Sequence, residues 1–324
     1  MPREDGTLKI LGTGSALPEK VVCNDDLTLF LDTSDEWIST RTGIRERRVL
    51  SEETLLDLAN RAAENALENA KVAAEDLDMI LVTTAKGEAV TPATACMVQG
   101  AIGAHCPAFD LNAACAGFLY ALDTADAFIA SKKAKTILIV SAEALSRFCD
   151  WKDRSTCVLF GDGAGAVVVG EGDGLIGTKL FAQSNEPILY AYGDPGNSPY
   201  EREKHPLTPL HMAGQEVYKF AVSHSSRDLL ELIERAGKTP DEIDHYLLHQ
   251  ANLRIVEAVR HRLHQPEAKF PHNIERTGNT SSASVPILLD ELNRAGKLKT
   301  GDLIAMSAFG AGLSTGAALL RWTL

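Results

Sequence analysis

The sequence lacks the features that secreted, metal-binding and nucleic-acid-binding proteins need. Its six cysteines include no CxxC pair, and its nine histidines form no HExxH motif or similar cluster. We therefore expect reduced thiols, as in a cytoplasmic protein, and no metal site. The formal charge of −12 argues against a nucleic-acid partner. No apolar run reaches the ~18–20 residues of a membrane span, and the polar N-terminus shows no secretion signal.

What the chain contains instead is a weak internal repeat. Three segments of the first half recur in the second half, in the same order and at nearly the same offset. Such a recurrence indicates two copies of one structural unit. The matching segments are 74–82 (AEDLDMILV) with 240–248 (PDEIDHYLL), 112–123 with 279–290, and 136–142 with 302–308.

Each copy alternates strands and helices, a pattern typical of parallel sheets that are covered by helices. We predict an α/β protein of two pseudo-symmetric halves, residues 1–172 and 173–324. Ligands of such folds bind at the carboxyl ends of the strands. Cys115 and His249 each follow a strand, and Asn279 opens the second copy of the Cys115 turn. Packing of the two halves should therefore bring these three residues to one site.

Cys115 is the candidate nucleophile. It stands among small side chains in DLNAACAGF (residues 110–118), where a strand turns into a buried helix. Free backbone N–H groups and a partial positive charge at a helix N-terminus stabilise a thiolate, so we expect a lowered thiol pKa. The alternative is a core cysteine that packs as a small hydrophobic side chain, as most buried cysteines do.

Several short motifs occur in the order found in one enzyme family. They are DEWISTRTGI (35–44), AACAGF (113–118), DRST (153–156), FGDGAG (160–165), HQAN (249–252) and GNTSSAS (278–284). With these motifs the whole chain resembles ketoacyl synthase III of the thiolase superfamily, the condensing enzyme that initiates type II fatty acid synthesis. The resemblance implies a duplicated αβαβα layered fold and no cofactor. It also implies an acyltransferase that condenses an acyl-CoA primer with malonyl-acyl carrier protein, with loss of CO2, to give 3-oxoacyl-acyl carrier protein.

The resemblance assigns a Cys-His-Asn triad to Cys115, His249 and Asn279. Cys115 would attack the acyl thioester, while the histidine N–H and the asparagine amide would stabilise the enolate that decarboxylation leaves. The backbone N–H groups of Cys115 and Ala311 would form the oxyanion hole. Taken alone, His249 fits an ordinary buried histidine and Asn279 fits a helix-capping residue, so those alternatives stay open.

The resemblance also assigns residues that bind CoA or pantetheine and residues that dock acyl carrier protein. A tryptophan can stack on a purine, and an arginine can bind a phosphate with two N–H groups. A basic patch on a chain of charge −12 would steer an acidic partner. The alternatives are a half-exposed aromatic ring and solvated charges. The CoA and pantetheine residues are Trp37, Arg41, Arg154, Tyr218, Asn252 and Phe309, and the docking residues are Lys219, Arg254, Arg260 and Arg262.

Three regions depart from the family pattern. Ala311 stands in a loop that is often triple glycine, and the usual tryptophan after it is missing from Ser314-Thr315. Thr91 stands where acetyl-specific members carry a phenylalanine that closes the acyl pocket of the dimer partner. Because threonine is smaller, we predict a larger pocket that accepts a longer or branched primer. Residues 183–209 are predicted to be an irregular insertion.

Most members of the family are homodimers, and we expect the same here. Two other functions remain open. One is a relative in specialised metabolism that condenses an unusual acyl group or transfers it to a hydroxyl or an amine, which the Thr91 and 311–315 departures favour. The other is a non-catalytic partner that only binds acyl-CoA or a carrier protein. The intact Cys-His-Asn set argues against the second, since a scaffold has no need of a reactive thiol.

Overall fold

The computed structural model describes residues 7–193, 199–200 and 208–324. The strands of this part are β1 (Leu8–Ala16), β2 (Val21–Cys23), β3 (Glu46–Arg48), β4 (Met79–Thr83), β5 (Ala108–Leu111), β6 (Thr136–Ala144), β7 (Asp162–Glu171), β8 (Leu175–Ala182), β9 (Leu189–Tyr190), β10 (His211–Met212), β11 (His245–Leu248), β12 (Leu303–Gly310) and β13 (Ser314–Arg321). The helices are α1 (Asn24–Leu27), α2 (Asp35–Thr42), α3 (Leu55–Ala70), α4 (Thr94–Ile102), α5 (Gly117–Ala130), α6 (Gly214–Arg235), α7 (Leu253–Leu263), α8 (Ile274–Thr277) and α9 (Ser284–Arg294).

Two larger sheets carry the fold. The first has the strand order β1-β7-β6-β4-β5, and the second has the order β11-β12-β13-β8. The expectation of parallel sheets holds for β6-β4-β5 and for β11-β12, whereas β7 and β13 run antiparallel to their neighbours. The reason lies in the connections, because no crossover helix separates β6 from β7 or β12 from β13.

The two sheets sandwich a middle layer formed by α5 and α9. One apolar core joins these helices to the inner faces of both sheets. On the outer faces, α3 and α4 cover the first sheet, while α6 covers the second and packs against α7. The layers therefore follow the order helix, sheet, helix, sheet, helix, as the sequence predicted. None of the described helices is both long and apolar enough to cross a membrane.

The sequence of α5 explains how a helix fits between two sheets. Leu119, Ala121, Leu122 and Ala125 are fully buried, and together they cover more than one side of the helix. A helix with so wide an apolar surface can bury it against elements on both sides. Its small residues let the strands on either side approach closely. The start of α5, which directly follows the turn that carries Cys115, is thereby held in the core.

The predicted boundary at residues 172 and 173 falls between β7 of the first sheet and β8 of the second. The division into two halves that fold as separate units stays a prediction. Of the predicted irregular insertion at 183–209, residues 194–198 and 201–207 lie outside the described residues. In its described part, β9 pairs with β10, which begins at His211.

Candidate active site

The Cys115 turn follows the end of β5. The side-chain oxygen of Asn112 accepts a hydrogen bond from the backbone N–H of Ala114 at 3.0 Å. Ala114 adopts a φ of +48°, a left-handed conformation that alanine rarely takes. A short 3-10 turn, Ala114–Ala116, then leads into α5. The tight turn places the Cys115 thiol at the wall of a cavity rather than within the core.

The second copy of the repeat builds the same turn. The side-chain oxygen of Asn279 accepts from the backbone N–H of Ser281 at 2.8 Å, and Ser281 has a φ of +52°. The 3-10 turn Ser281–Ala283 leads into α9. The Ser281 hydroxyl lies 3.3 Å from the Cys115 sulfur, so the two turns meet.

His249 follows β11 and is 2% exposed. Its backbone N–H donates to the carbonyl of Ser307, and its ring meets Phe309 edge-on at 5.2 Å between centroids. Nδ1 lies 2.6 Å from the Ser284 hydroxyl. Burial lowers the pKa of His249 to about 3, so the imidazole is neutral at physiological pH.

One cavity of about 870 Å³ joins these groups. Cys115, His249 and Asn279 all line it, so the structure brings the three candidate catalytic residues together. Most of the other predicted site residues line the same cavity. They are Trp37, Arg41, Arg154, Tyr218, Lys219, Asn252, Arg254, Phe309 and Ala311.

Trp37, Arg41 and Arg154 form a cluster in the cavity wall. The guanidinium carbons of the two arginines lie 4.8 and 4.9 Å from the centre of the indole ring. Cation–π attraction therefore orders the three side chains. Arg154 also contacts the backbone of Asp32. The cluster offers a flat aromatic face and two positive charges, which suits a purine with its phosphates.

Asn252 links this cluster to the second half of the chain. Its side-chain oxygen caps α7 by accepting from the Arg254 N–H at 2.9 Å. Its amide donates to the Arg41 carbonyl at 3.2 Å. Across the cavity, Tyr218 is 41% exposed. Asn252 and Tyr218 both line the cavity.

Three predicted residues do not line the cavity of this chain. Thr91 is exposed. Arg260 is paired with Glu257 of its own helix at 2.6 Å. Arg262 is exposed, and its guanidinium lies 3.5 Å from the Val222 carbonyl. The roles predicted for these residues stay predictions.

The pKa of Cys115 departs from the sequence-based expectation. Burial raises the pKa of the thiol to about 12, although hydrogen bonds from Ser281 and from the backbone act in the opposite direction. The expected lowering at the helix N-terminus is thus outweighed by the loss of water around the sulfur. At physiological pH Cys115 is therefore a thiol, and a thiolate would form only if another group removed its proton.

Sequence reasoning missed Glu143, the acidic residue near the end of β6. It is 1% exposed, and burial raises the pKa of its carboxyl to about 7. Oε1 accepts hydrogen bonds from the hydroxyls of Ser281 and Ser282, and Oε2 accepts from the N–H of Ala85. The available signal was a single charged residue near the end of a strand that is otherwise uncharged and mostly apolar, TILIVSAEA. Among the described residues, no group of three or more His, Cys, Asp or Glu side chains is placed to hold a metal ion.

Comparison with known proteins places this geometry in a family. A family model described as 3-Oxoacyl-[acyl-carrier-protein (ACP)] synthase III matches residues 109–184, and the model of its C-terminal region matches residues 233–322. A beta-ketoacyl-[acyl-carrier-protein] synthase III of Aquifex aeolicus (strain VF5) is 47% identical over 319 residues, which are 97% of this chain and 99% of that protein. The chain belongs to the beta-ketoacyl-[acyl-carrier-protein] synthase III family.

A further relative and two solved structures are similar to nearly the whole chain. The relative, a beta-ketoacyl-[acyl-carrier-protein] synthase III of Xylella fastidiosa (strain 9a5c), is 48% identical over 320 residues, 97% of this chain and 98% of that protein. The crystal structure of the Aquifex aeolicus VF5 enzyme superimposes with a TM-score of 0.92 at 46% identity, covering 97% of this chain and 100% of that one. The priming beta-ketosynthase of the R1128 polyketide pathway superimposes with a TM-score of 0.91 at 35% identity, covering 100% of this chain and 98% of that one. The predicted family, layered thiolase-type fold and acyltransferase class are confirmed.

Proposed function

We propose that the chain condenses an acyl-CoA primer with malonyl-acyl carrier protein to give 3-oxoacyl-acyl carrier protein, through an acyl-Cys115 intermediate. This reaction initiates type II fatty acid synthesis. One observation carries the proposal: Cys115, His249 and Asn279 line a single cavity that also carries the Trp37 cluster. The nucleophile and the CoA-binding groups thus face the same space.

In the first half-reaction, the Cys115 sulfur attacks the thioester carbonyl and displaces CoA. The oxyanion that forms accepts hydrogen bonds from the backbone N–H groups of Cys115 and Ala311. Their proximity is supported by Gly310, where an added Cβ would lie 2.6 Å from the Cys115 nitrogen. Glycine at this position lets the end of β12 approach the Cys115 turn.

In the second half-reaction, the malonyl group loses CO2, and its enolate oxygen accepts from His249 and Asn279. Each donor is oriented by a neighbour. Nδ1 of His249 lies 2.6 Å from the Ser284 hydroxyl, and a hydroxyl that donates to Nδ1 keeps the ring proton on Nε2, where it can be donated to the enolate. The side-chain oxygen of Asn279 is engaged by the Ser281 N–H, which leaves its amide group to donate. The carbanion then attacks acyl-Cys115 and forms the new carbon–carbon bond.

Substrate binding follows from the cavity wall. Trp37, Arg41 and Arg154 bind the adenine and phosphates of CoA, while Tyr218, Asn252 and Phe309 contact the pantetheine chain. Lys219 and Arg254, exposed residues that line the cavity, provide the docking surface for acyl carrier protein with Arg260 and Arg262. Their positive charge contrasts with the net charge of −12 and therefore directs an acidic partner to this face.

We further propose a cytoplasmic homodimer. The edge strand β5 has a single strand neighbour, β4, within the described chain. Phe109 on this strand is 37% exposed, and Val90 is 99% exposed. An unpaired edge with exposed apolar side chains favours pairing with a second copy. All six cysteines are free, which suits a reducing compartment.

A panel of acyl-CoAs from C2 to C12 tests the first half-reaction, with intact mass as the readout and Cys115→Ala as the control. We expect an acyl adduct on the native protein that the variant lacks. Absence of an adduct with every acyl-CoA would refute the reaction at its first step.

The preferred chain length tests the role of Thr91 in the acyl pocket of the partner subunit. We expect chains longer than acetyl to react, and Thr91→Phe to shift the preference toward acetyl-CoA. Turnover of acetyl-CoA alone by the native protein would contradict the larger pocket.

A condensing enzyme or acyltransferase of specialised metabolism is the second candidate. The structural likeness to the priming beta-ketosynthase of the R1128 polyketide pathway favours it, together with the small residue at Thr91. Turnover of the acyl-enzyme with malonyl-acyl carrier protein supports the first function. Transfer to a hydroxyl or an amine, without condensation, supports the second.

A further inference from the structure

A hydrogen-bonded chain links Cys115 to a buried carboxylate that the proposed condensation does not use. The Ser281 hydroxyl lies 3.3 Å from the Cys115 sulfur and 3.0 Å from Oε1 of Glu143. Because a serine hydroxyl carries a single proton, it donates to one of these acceptors at a time. The hydroxyl therefore has two states, one directed to the carboxylate and one directed to the sulfur.

The remaining contacts of Glu143 hold its carboxylate in place without neutralising it. Oε1 accepts from the Ser282 hydroxyl at 2.6 Å, and Oε2 accepts from the N–H of Ala85 at 2.9 Å. All of these donors are uncharged, and Cys115 is the titratable group whose pKa Glu143 influences. A buried carboxylate with only neutral partners takes up a proton more readily than an exposed one.

We propose that Glu143 accepts the thiol proton of Cys115 through the Ser281 hydroxyl. The S–H proton passes to Oγ of Ser281 while the hydroxyl proton of Ser281 passes to Oε1 of Glu143. The products are a Cys115 thiolate, which accepts from the Ser281 hydroxyl, and a neutral carboxylic acid. Glu143 does not touch the sulfur and acts only through Ser281.

The acyl transfer then balances without a further reactant. The thiolate forms a bond to the acyl carbon, and the bond between that carbon and the CoA sulfur breaks. The proton held by Glu143 returns through Ser281 to the departing thiolate. One thiol and one thioester thus become one thioester and one thiol. Only this last step rests on the proposed function, because formation of the thiolate does not require CoA.

The charges of Cys115 and Glu143 favour this proton transfer. The buried thiol needs a base, and the negative charge of Glu143 itself disfavours a thiolate next to it. When Glu143 takes the proton, its charge disappears as the sulfur becomes negative. The pair carries a single negative charge throughout, so no second anion has to be desolvated.

Alkylation of Cys115 by iodoacetamide tests the relay without any acyl substrate. The rate is followed against pH by intact mass, and Cys115→Ala identifies the adduct that belongs to this thiol. In the native protein we expect the rate to rise through about pH 7, where Glu143 ionises, and then to level off. In Glu143→Gln this step should disappear, and the rate at pH 8 should fall about 100-fold, the lower range for loss of a general base. Glu143→Asp should recover part of the step.

Two neighbouring serines provide the matched control. Both hydroxyls donate to Oε1 of Glu143, but only Ser281 contacts the sulfur. We expect Ser281→Ala to behave like Glu143→Gln, and the double variant to be no slower than either single one, because the groups act in series. Ser282→Ala should keep the step near pH 7.

An equal effect of the two serine variants, or an unchanged pH profile in Glu143→Gln, would overturn the relay and leave Glu143 a structural residue. The comparison of Ser281→Ala with Ser282→Ala tests the relay even if Glu143→Gln does not fold. Alkylation that follows the expected pattern, without acylation by any acyl-CoA, would refute the proposed condensation and support the relay.

Discussion

The two halves of the chain build the same turn and use it differently. In each half an asparagine side chain accepts the N–H of the residue two positions on, and that residue has a positive φ. The next position carries Cys115 in the first half and Ser282 in the second. The Cys115 thiol lines the cavity, whereas the Ser282 hydroxyl is buried against Glu143.

A second matched pair shows the same division. Glu143 near the end of β6 corresponds to Phe309 in β12, which packs against His249. The first half thus holds the thiol and a buried acid, and the second holds a neutral imidazole beside an aromatic ring. The two halves therefore share the backbone conformation of the turn, but they carry different reactive side chains. Neither half alone contains a complete site.

The largest effect is expected when the two turns are made chemically alike. Cys115→Ser places a serine at both positions, and a serine hydroxyl is a far weaker nucleophile than a thiol without a strong base. We expect condensation to fall by at least about 10³-fold, as for removal of the nucleophile in other acyl-transfer enzymes. Intact mass should show no acyl adduct, as with Cys115→Ala. Acylation of Cys115→Ser at the native rate would contradict the claim that the thiol distinguishes the first turn from the second.

The two asparagines allow the next comparison. Asn112→Ala and Asn279→Ala each remove the side-chain hydrogen bond that closes a turn, so each should lower the free energy of unfolding by ~1 kcal/mol. Only Asn279→Ala should also slow decarboxylation of a malonyl thioester, by about 100-fold, because it removes a donor to the enolate. Urea unfolding and CO2 release measure the two effects. Equal losses of CO2 release in both variants would contradict the assignment.

The buried acid and the buried histidine should give opposite pH dependences of stability. The pKa of Glu143 is raised from 4.5 to about 7, so the folded state binds the proton more tightly and loses stability as pH rises through this window. The pKa of His249 is lowered from 6.5 to about 3, so the folded state loses stability as pH falls through that window.

Glu143→Gln should therefore gain stability relative to the native protein as pH rises from 4.5 to 7, by up to ~3 kcal/mol. His249→Gln should gain relative stability as pH falls below 6.5. Urea unfolding at a series of pH values measures both changes. A difference in unfolding free energy that does not vary with pH would show that the group keeps an ordinary pKa.

The last comparison concerns stability alone, at the ends of the matched strands, where Gly310 of β12 corresponds to Ala144 of β6. A Cβ at Gly310 would meet the Cys115 backbone at 2.6 Å, so Gly310→Ala should lower the free energy of unfolding by ~1–3 kcal/mol. Ala144→Gly should lower it by only ~0.5–1 kcal/mol, through backbone entropy. Thermal unfolding compares them, and an equal or smaller loss in Gly310→Ala would show that β12 moves aside freely.

Much of the fold and of the site could be predicted from the sequence. The repeat located the matching turns, and the alternation of strands and helices indicated the layers. Cys115, His249 and Asn279 could be brought together because each stands next to a strand end or at a repeated turn. Strand direction could not be predicted for β7 or β13, because an apolar run reads the same in either direction.

The electrostatics of the site were the least predictable part. The expectation of a lowered thiol pKa considered only the helix that follows Cys115, whereas burial of the sulfur in the folded chain raises that pKa. Glu143 was missed because its partners, Ser281 and Ser282, are far away in the sequence. The ion pair of Arg260 with Glu257 joins neighbouring turns of one helix and could have been anticipated from their spacing.

The placement of α5 and α9 between the sheets has a consequence for how the protein unfolds and loses activity. Both active-site turns lead directly into these interior helices, so we expect that neither turn can open without separating the two sheets. Amide hydrogens at the start of both helices should therefore exchange with solvent only through global unfolding, and activity should be lost in the same heating step as the tertiary structure. Residual activity after heating therefore also measures the fraction of molecules that remain folded.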